Sequence, residues 1–164
     1  EEGEMQTILN MLALNRLGVF TIISSGMRRT TGAIQECTRI LNMEHEVDER
    51  FIDFDAGDWT GKRWTDIARE DPEQYSNCMH DGRKLIVPGG ESMEWFEARV
   101  MQGWEDLLKN DRELIAVITH SCVIALLVAN IEGLENVDLK GPPVGSMQNI
   151  YIDKVLYFNF QTYS

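Results

Sequence analysis

The sequence predicts an α/β protein of three layers, with a mostly parallel sheet between two sets of helices, and two stretches carry that prediction. VFTII (19–23) leads into SSGMRR and a helical pattern, and LIAVIT (114–119) leads into HSCVIALLVANIEGL. Each reads as a strand, a loop and a helix in succession. The strand segments are apolar throughout, as strands covered on both faces must be. Repetition of such units favours a parallel sheet, in which ligands sit beyond the C-terminal strand ends. Residues 24–29 and 119–122 occupy those two ends.

The elements follow in chain order. Over residues 4–16, Met5, Ile8, Leu9, Leu12 and Leu14 recur at helical spacing, and Gly18 supplies a stop. After the first strand, Ser24 and Ser25 offer caps to a helix over about 27–41, with Ala33, Ile34, Cys37, Ile40 and Leu41 on its inner side. A strand is placed near 47–52, then a Gly-punctuated loop through Gly61 and a short helix from about Thr65. Residues 70–90 are polar and marked by Pro and Gly, which predicts irregular cover. PGGES (88–92) is a turn ending on the cap Ser92, and the helix it opens runs to about Leu108 with Phe96, Val100, Trp104 and Leu107 inward. LIAVIT is the second buried strand, and the helix after it closes at Gly133. MQNIYIDKVLYFNF, at the end, reads as a hairpin or two edge strands.

Bulk properties narrow the function. The 164 residues, 43% of them hydrophobic, suffice for one domain spanning 1–164 with a sizeable core. A net charge of −12 and a pI near 4.6 argue against nucleic acid or an anionic membrane as partner, since both repel such a chain at long range. Cys37, Cys78 and Cys122 form an odd set without CxxC spacing, which disfavours a disulfide framework or structural zinc site and fits a reducing, cytoplasmic setting. No apolar run approaches the length of a membrane span, and no basic, apolar leader opens the chain. The oligomeric state is not legible: VLYFNF fits an edge strand or a subunit contact equally.

Four stretches carry chemistry-bearing residues. SSGMRR places Arg28 and Arg29 at a helix start, where main-chain N–H groups and guanidinium donors can hold a phosphate together. Solvated first-turn arginines are the other reading. His120 follows a buried strand, as a histidine satisfied in the core or as a functional one. His45 and His80 lie in polar surroundings and read as surface residues, and no two histidines have metal-pair spacing. DFDAGDW (53–59) holds Asp53, Asp55 and Asp58 in a glycine-containing loop, either a solvated acidic loop or the source of a carboxylic acid that protonates a leaving alcohol. It does not complete an EF-hand. VGSMQ (144–148) lacks the closing glycine of a nucleophile elbow, and four residues rather than five separate Cys78 from Arg83, against a cysteine phosphatase. Asp53 and Asp55 loosely match the DxDxG loop of aspartyl phosphatases, although Gly57 occupies its usual Thr or Val position.

SSGMRR, DFDAGDWTG, PGGES and ITHS, in this order, resemble the motifs of the histidine phosphatase superfamily, also called phosphoglycerate-mutase-like. EEGEMQ resembles the segment after that family's first motif, so the resemblance runs from Glu1 to about Ile152. It implies a phosphoglycerate-mutase-like α/β/α fold, with Arg29 as a phosphate-clamping arginine and His120 as the active-site histidine contacting the transferred phosphoryl group. Asp53 stands where family phosphatases carry a general-acid glutamate. Ser121 replaces the glycine common after the histidine, and its N–H remains available to phosphate.

The family's RHG motif, which supplies the phosphorylated histidine and a further arginine, has no match here. Because the chain begins where the family's first long helix begins, the resemblance implies an N-terminally incomplete domain that lacks the first, central strand. Filling that place is costly if backbone groups are left unpaired. For the complete protein the resemblance implies hydrolysis of a small phosphomonoester through a phosphohistidine, without cofactor or metal. A non-catalytic phospholigand-binding relative is the alternative, ahead of a mutase or a Mg-dependent aspartyl phosphatase.

Overall fold

The computed structural model describes residues 2–110, 114–139 and 155–159; for 2–4, 6–7, 28–30, 33 and 155–159 the description is of the backbone alone. Helix α1 (Glu2–Arg16) buries Met11 and Leu14 on one side, and a left-handed Gly18 (φ 82°) turns the chain into strand β1 (Thr21–Ser24). Every residue of β1 is buried, Thr21 and Ser24 along with Ile22 and Ile23. Helix α2 (Arg28–Leu41) follows, ends on left-handed Asn42, and leads into strand β2 (Glu44–Val47). Helices α3 (Trp64–Glu70) and α4 (Pro72–His80) cover one flank. Helix α5 (Met93–Leu108) starts at Ser92, whose hydroxyl accepts from the Trp95 amide at 3.2 Å. Strand β3 (Ile115–Thr119), helix α6 (Ser121–Glu132) and strand β4 (Val155–Asn159) complete the described chain.

The sheet runs β2-β1-β3-β4 with every pairing parallel. Alternation along β1 and β3 splits the core. Ile22, Ala116 and Ile118 pack with Met11, Leu14, Ile34 and Cys37 of α1 and α2. Ile23, Ile115 and Val117 face the other way, into a cluster with Phe96, Val100, Leu126 and Leu127 of α5 and α6. Helices therefore cover both faces, giving the three layers read from the sequence. Each fully buried side chain of this kind contributes about 1.5–3 kcal/mol through removal of apolar area from water.

Several expectations are corrected. Ser24 and Ser25 do not cap α2; its cap position is Met27, without a side-chain bond, because both serines belong to the strand end and are buried. Ile40 is 66% exposed rather than inward, and the Ala33 side chain lies outside the description. The strand expected near 47–52 lies at 44–47, because EHEV is a polar edge strand without apolar periodicity. Helix α4 falls inside the segment expected to be irregular. Asp71 caps it through the Gln74 amide at 3.3 Å, and Pro72 sits at its first position, where a missing N–H costs nothing. Of the hairpin or two edge strands expected at the end, β4 is an edge strand, parallel to β3, and residues 147–154 lie outside the description. No gap of unpaired backbone stands between the central strands either, because β1 and β3 pair directly, Thr21 opposite Ile115 and Ser24 opposite Ile118.

Candidate active site

Three strands deliver residues to one place. The chain beyond β1 carries Ser25, the loop after β2 carries Asp53, and β3 ends in His120, all at the C-terminal edge of the parallel sheet. A left-handed Gly26 (φ 79°) turns the backbone after Ser25, a conformation that disfavours a side chain, and a Cβ there would lie 2.7 Å from Val47 Cγ1, which would have to shift. His120 precedes the first turn of α6 in extended conformation (φ −109°, ψ 155°), which aims its ring across the sheet end instead of along the helix.

The His120 ring is fully buried and held at both nitrogens. Nε2 lies 2.9 Å from Ser25 Oγ, and Nδ1 lies 3.4 Å from Asp53 Oδ2. The other carboxylate oxygen, Asp53 Oδ1, accepts from the Cys122 thiol at 2.9 Å and from the Phe54 amide at 3.1 Å. Burial pushes the Cys122 thiol well above its ordinary pKa, and the adjacent Asp53 charge adds to the effect. Cys122 therefore stays protonated and acts as a donor.

Residues 52–56, which carry Asp53 between two short 3-10 turns (Glu49–Phe51 and Gly57–Trp59), have no regular structure, and neighbours fix them from three directions. Thr119 Oγ1, on β3, donates to the Phe51 carbonyl at 2.5 Å. Arg99, on α5, donates to the carbonyls of Arg50 and Ile52 at 2.8 Å and of Asp53 at 3.0 Å. Its fork also pairs with Glu91 at 2.6 Å, and Glu91 Oε1 in turn accepts from the Asp55 amide at 2.9 Å. The PGGES turn locks in behind: Asp58 N–H reaches the Pro88 carbonyl at 2.9 Å and Glu91 N–H the Asp55 carbonyl at 3.1 Å. The two loops touch backbone to backbone, so a Cβ on Gly90 would stand 2.4 Å from the Asp55 carbonyl oxygen.

The structure thus brings His120, Asp53 and Ser121 together at one strand edge, with Ser121 buried at the first position of α6. Arg29 lies in the first turn of α2, whose start follows the Ser25 turn, and its side chain lies outside the description. His80 is exposed, its Nδ1 3.0 Å from the Ser76 carbonyl oxygen. His45 is not a plain surface residue: it is half-buried, Nε2 2.8 Å from Ser24 Oγ, and burial lowers its pKa. Asp55 and Asp58 are exposed and brace the loop. The sequence gives no site role to Ser25, Thr119, Glu91 or Arg99, and Ser25, Thr119 and Glu91 carry a signal only as members of SSGMRR, ITHS and PGGES. Among the described residues no group of three or more His, Cys, Asp or Glu is arranged to hold a metal ion.

Parallel strands between two helical layers, with the candidate site residues gathered at their C-terminal ends, define an α/β protein of phosphoglycerate-mutase-like architecture. The family model of the histidine phosphatase superfamily (branch 1) matches residues 1–156, and the chain belongs to that superfamily. It is 25% identical over 136 residues to phosphoserine phosphatase 1 of Hydrogenobacter thermophilus, covering 82% of this chain and 64% of that protein. A probable phosphoglycerate mutase, GpmB of Salmonella newport, is 30% identical over 140 residues, covering 81% of this chain and 62% of the other. Among solved structures, YhfR of Bacillus stearothermophilus superposes with a TM-score of 0.76 at 20% identity, over 87% of this chain and 71% of that one. The chain thus spans less than two thirds of the length of either of these two curated relatives.

Proposed function

We propose that the whole protein hydrolyses a small phosphomonoester through a phosphohistidine, in the cytoplasm. In this reading the nucleophilic histidine is supplied from upstream of Glu1, as the family resemblance implies. The observation that carries the reading is the joint placement of His120 and Asp53, 3.4 Å apart at the strand ends, in a chain of this superfamily. Arg29, His120 and the Ser121 amide hold the phosphoryl oxygens and offset the charge that develops on them. Asp53 gives its proton to the departing alcohol oxygen as the P–O bond breaks, then takes one from the water that attacks the phosphohistidine. The short segment 71–89 leaves little room for a mutase-type insertion, which favours hydrolysis. None of the three cysteines forms a disulfide, which agrees with a reducing compartment, and no described helix is long and apolar enough to cross a membrane.

A second reading has its own observation. Ser25 and His120 are both fully buried, so phosphate reaches the ring only when their contact opens. A non-catalytic relative that binds phosphorylated ligands or partners accommodates such a closed ring without turnover. Hydrolysis of p-nitrophenyl phosphate by the whole protein in excess chelator separates the two. The enzyme reading expects turnover that drops by about a hundredfold or more in Arg29→Ala and in His120→Ala; equal rates in wild type and both variants overturn it. Residues 1–164 alone are expected to be nearly inactive.

A further inference from the structure

Cys122 is absent from the phosphate chemistry above, yet its thiol donates to the Asp53 carboxylate. Its thiol lies 2.9 Å from Oδ1, which also accepts the Phe54 amide, while Oδ2 faces His120 Nδ1 at 3.4 Å. Oδ1 thus accepts from the thiol and the Phe54 amide, and Oδ2 is the oxygen on the His120 side. Cys122 occupies the second position of α6, buried between Asp53 and the core cluster of α5 and α6, so its direction is set by a rigid element.

We propose that Cys122 is a positioning residue for proton transfer, its thiol holding Asp53 Oδ1 so that Oδ2 carries the exchangeable proton toward the leaving group. This rests on the reading of Asp53 as general acid. A redox role fits poorly: the thiol is buried, and no second sulfur is near it in sequence, the three cysteines lying at 37, 78 and 122. A hydroxyl can replace the thiol as donor, and a methyl group cannot. Loss of the donor removes a bond to the ionised carboxylate, which is expected to show in the alkaline limb of the rate profile.

The test uses the whole protein and two substrates, p-nitrophenyl phosphate, whose leaving group needs little protonation, and an alkyl phosphate, whose leaving group needs much. Cys122→Val keeps the volume without the donor, Cys122→Ala is the smaller non-donor, and Cys122→Ser keeps the donor. The expected result in Val and Ala variants is an upward shift of the alkaline limb of kcat/KM by about half a pH unit, from the loss of one hydrogen bond. Their loss of kcat is expected to be several-fold greater on the alkyl phosphate, and Cys122→Ser restores both readouts. An unmoved limb, equal losses on both substrates, or a serine variant no better than valine overturns the proposal. Asp53→Asn separates it from its premise. If that variant abolishes the limb while the cysteine variants leave it in place, only the role of Cys122 fails; if it leaves the limb intact, the general-acid reading fails and the proposal with it.

Discussion

Arg99 holds Asp53 from behind. Its Nη2 donates to the Asp53 carbonyl at 3.0 Å while Nη1 takes the Arg50 and Ile52 carbonyls, so one helical side chain sets the path of the loop that presents the carboxylate. Five-donor planar geometry makes this possible, and a lysine ammonium cannot reproduce it. Arg99→Ala is expected to destabilise the protein by about 2 kcal/mol, since the site is only partly screened and strands Glu91 and three carbonyls. Urea unfolding measures this, and Arg99→Lys is expected to recover little of it.

The seam between the two loops permits no side chain at Gly90. A methyl group there meets the Asp55 carbonyl oxygen at 2.4 Å, main chain against main chain, with nothing flexible to yield. Gly90→Ala is expected to cost about 1–3 kcal/mol, as overpacking does, and to lower activity by shifting the Asp53 loop. A thermal shift of the variant alongside its kcat checks both; a wild-type melting temperature contradicts the seam.

His45 gives a pH signature. Burial lowers its folded pKa below the ordinary value of 6.5, so the unfolded chain binds a proton first as pH falls. Its contribution is complete above that ordinary value and is lost as pH drops through the lower, folded one. Stability measured by denaturant from pH 7.5 to pH 5 is expected to fall across this window, and His45→Gln is expected to flatten that part of the slope. An unchanged slope in the variant contradicts the assignment.

The Cys122 thiol runs the opposite way. Burial raises its pKa, so stability is full below the ordinary thiol value of 9.0 and is lost as pH rises beyond it. In native protein at pH 8, Cys122 is expected to resist alkylation that proceeds readily in denaturant, with modification mapped by mass spectrometry. Fast native alkylation contradicts its burial against Asp53.

How much of this was legible in the sequence depended on whether local pattern or distant contact decided each feature. The apolar runs of β1 and β3 and the Ser92 and Gly133 boundaries are local, and they lie where expected. Strand β2 was misplaced because EHEV is an edge with a charged pattern, held by pairing to β1 rather than by its own burial. Helix α4 was missed because Pro72 was read as a breaker when it stands at a helix start. In the site, His120 and Asp53 stood out through their motifs. Arg99 did not, because its role exists only through contact with Asp53, 46 positions away along the chain. Cys122 stood out only as one of three cysteines without CxxC spacing; its contact to Asp53 spans 69 residues.

The central claim is the phosphohistidine. Rapid quench of the whole protein with radiolabelled p-nitrophenyl phosphate is expected to trap phosphate on the chain in a form stable to base and lost in acid, at up to one equivalent. A base-labile, hydroxylamine-sensitive adduct lost in Asp53→Asn, or turnover with no covalent phosphate at all, would contradict the account.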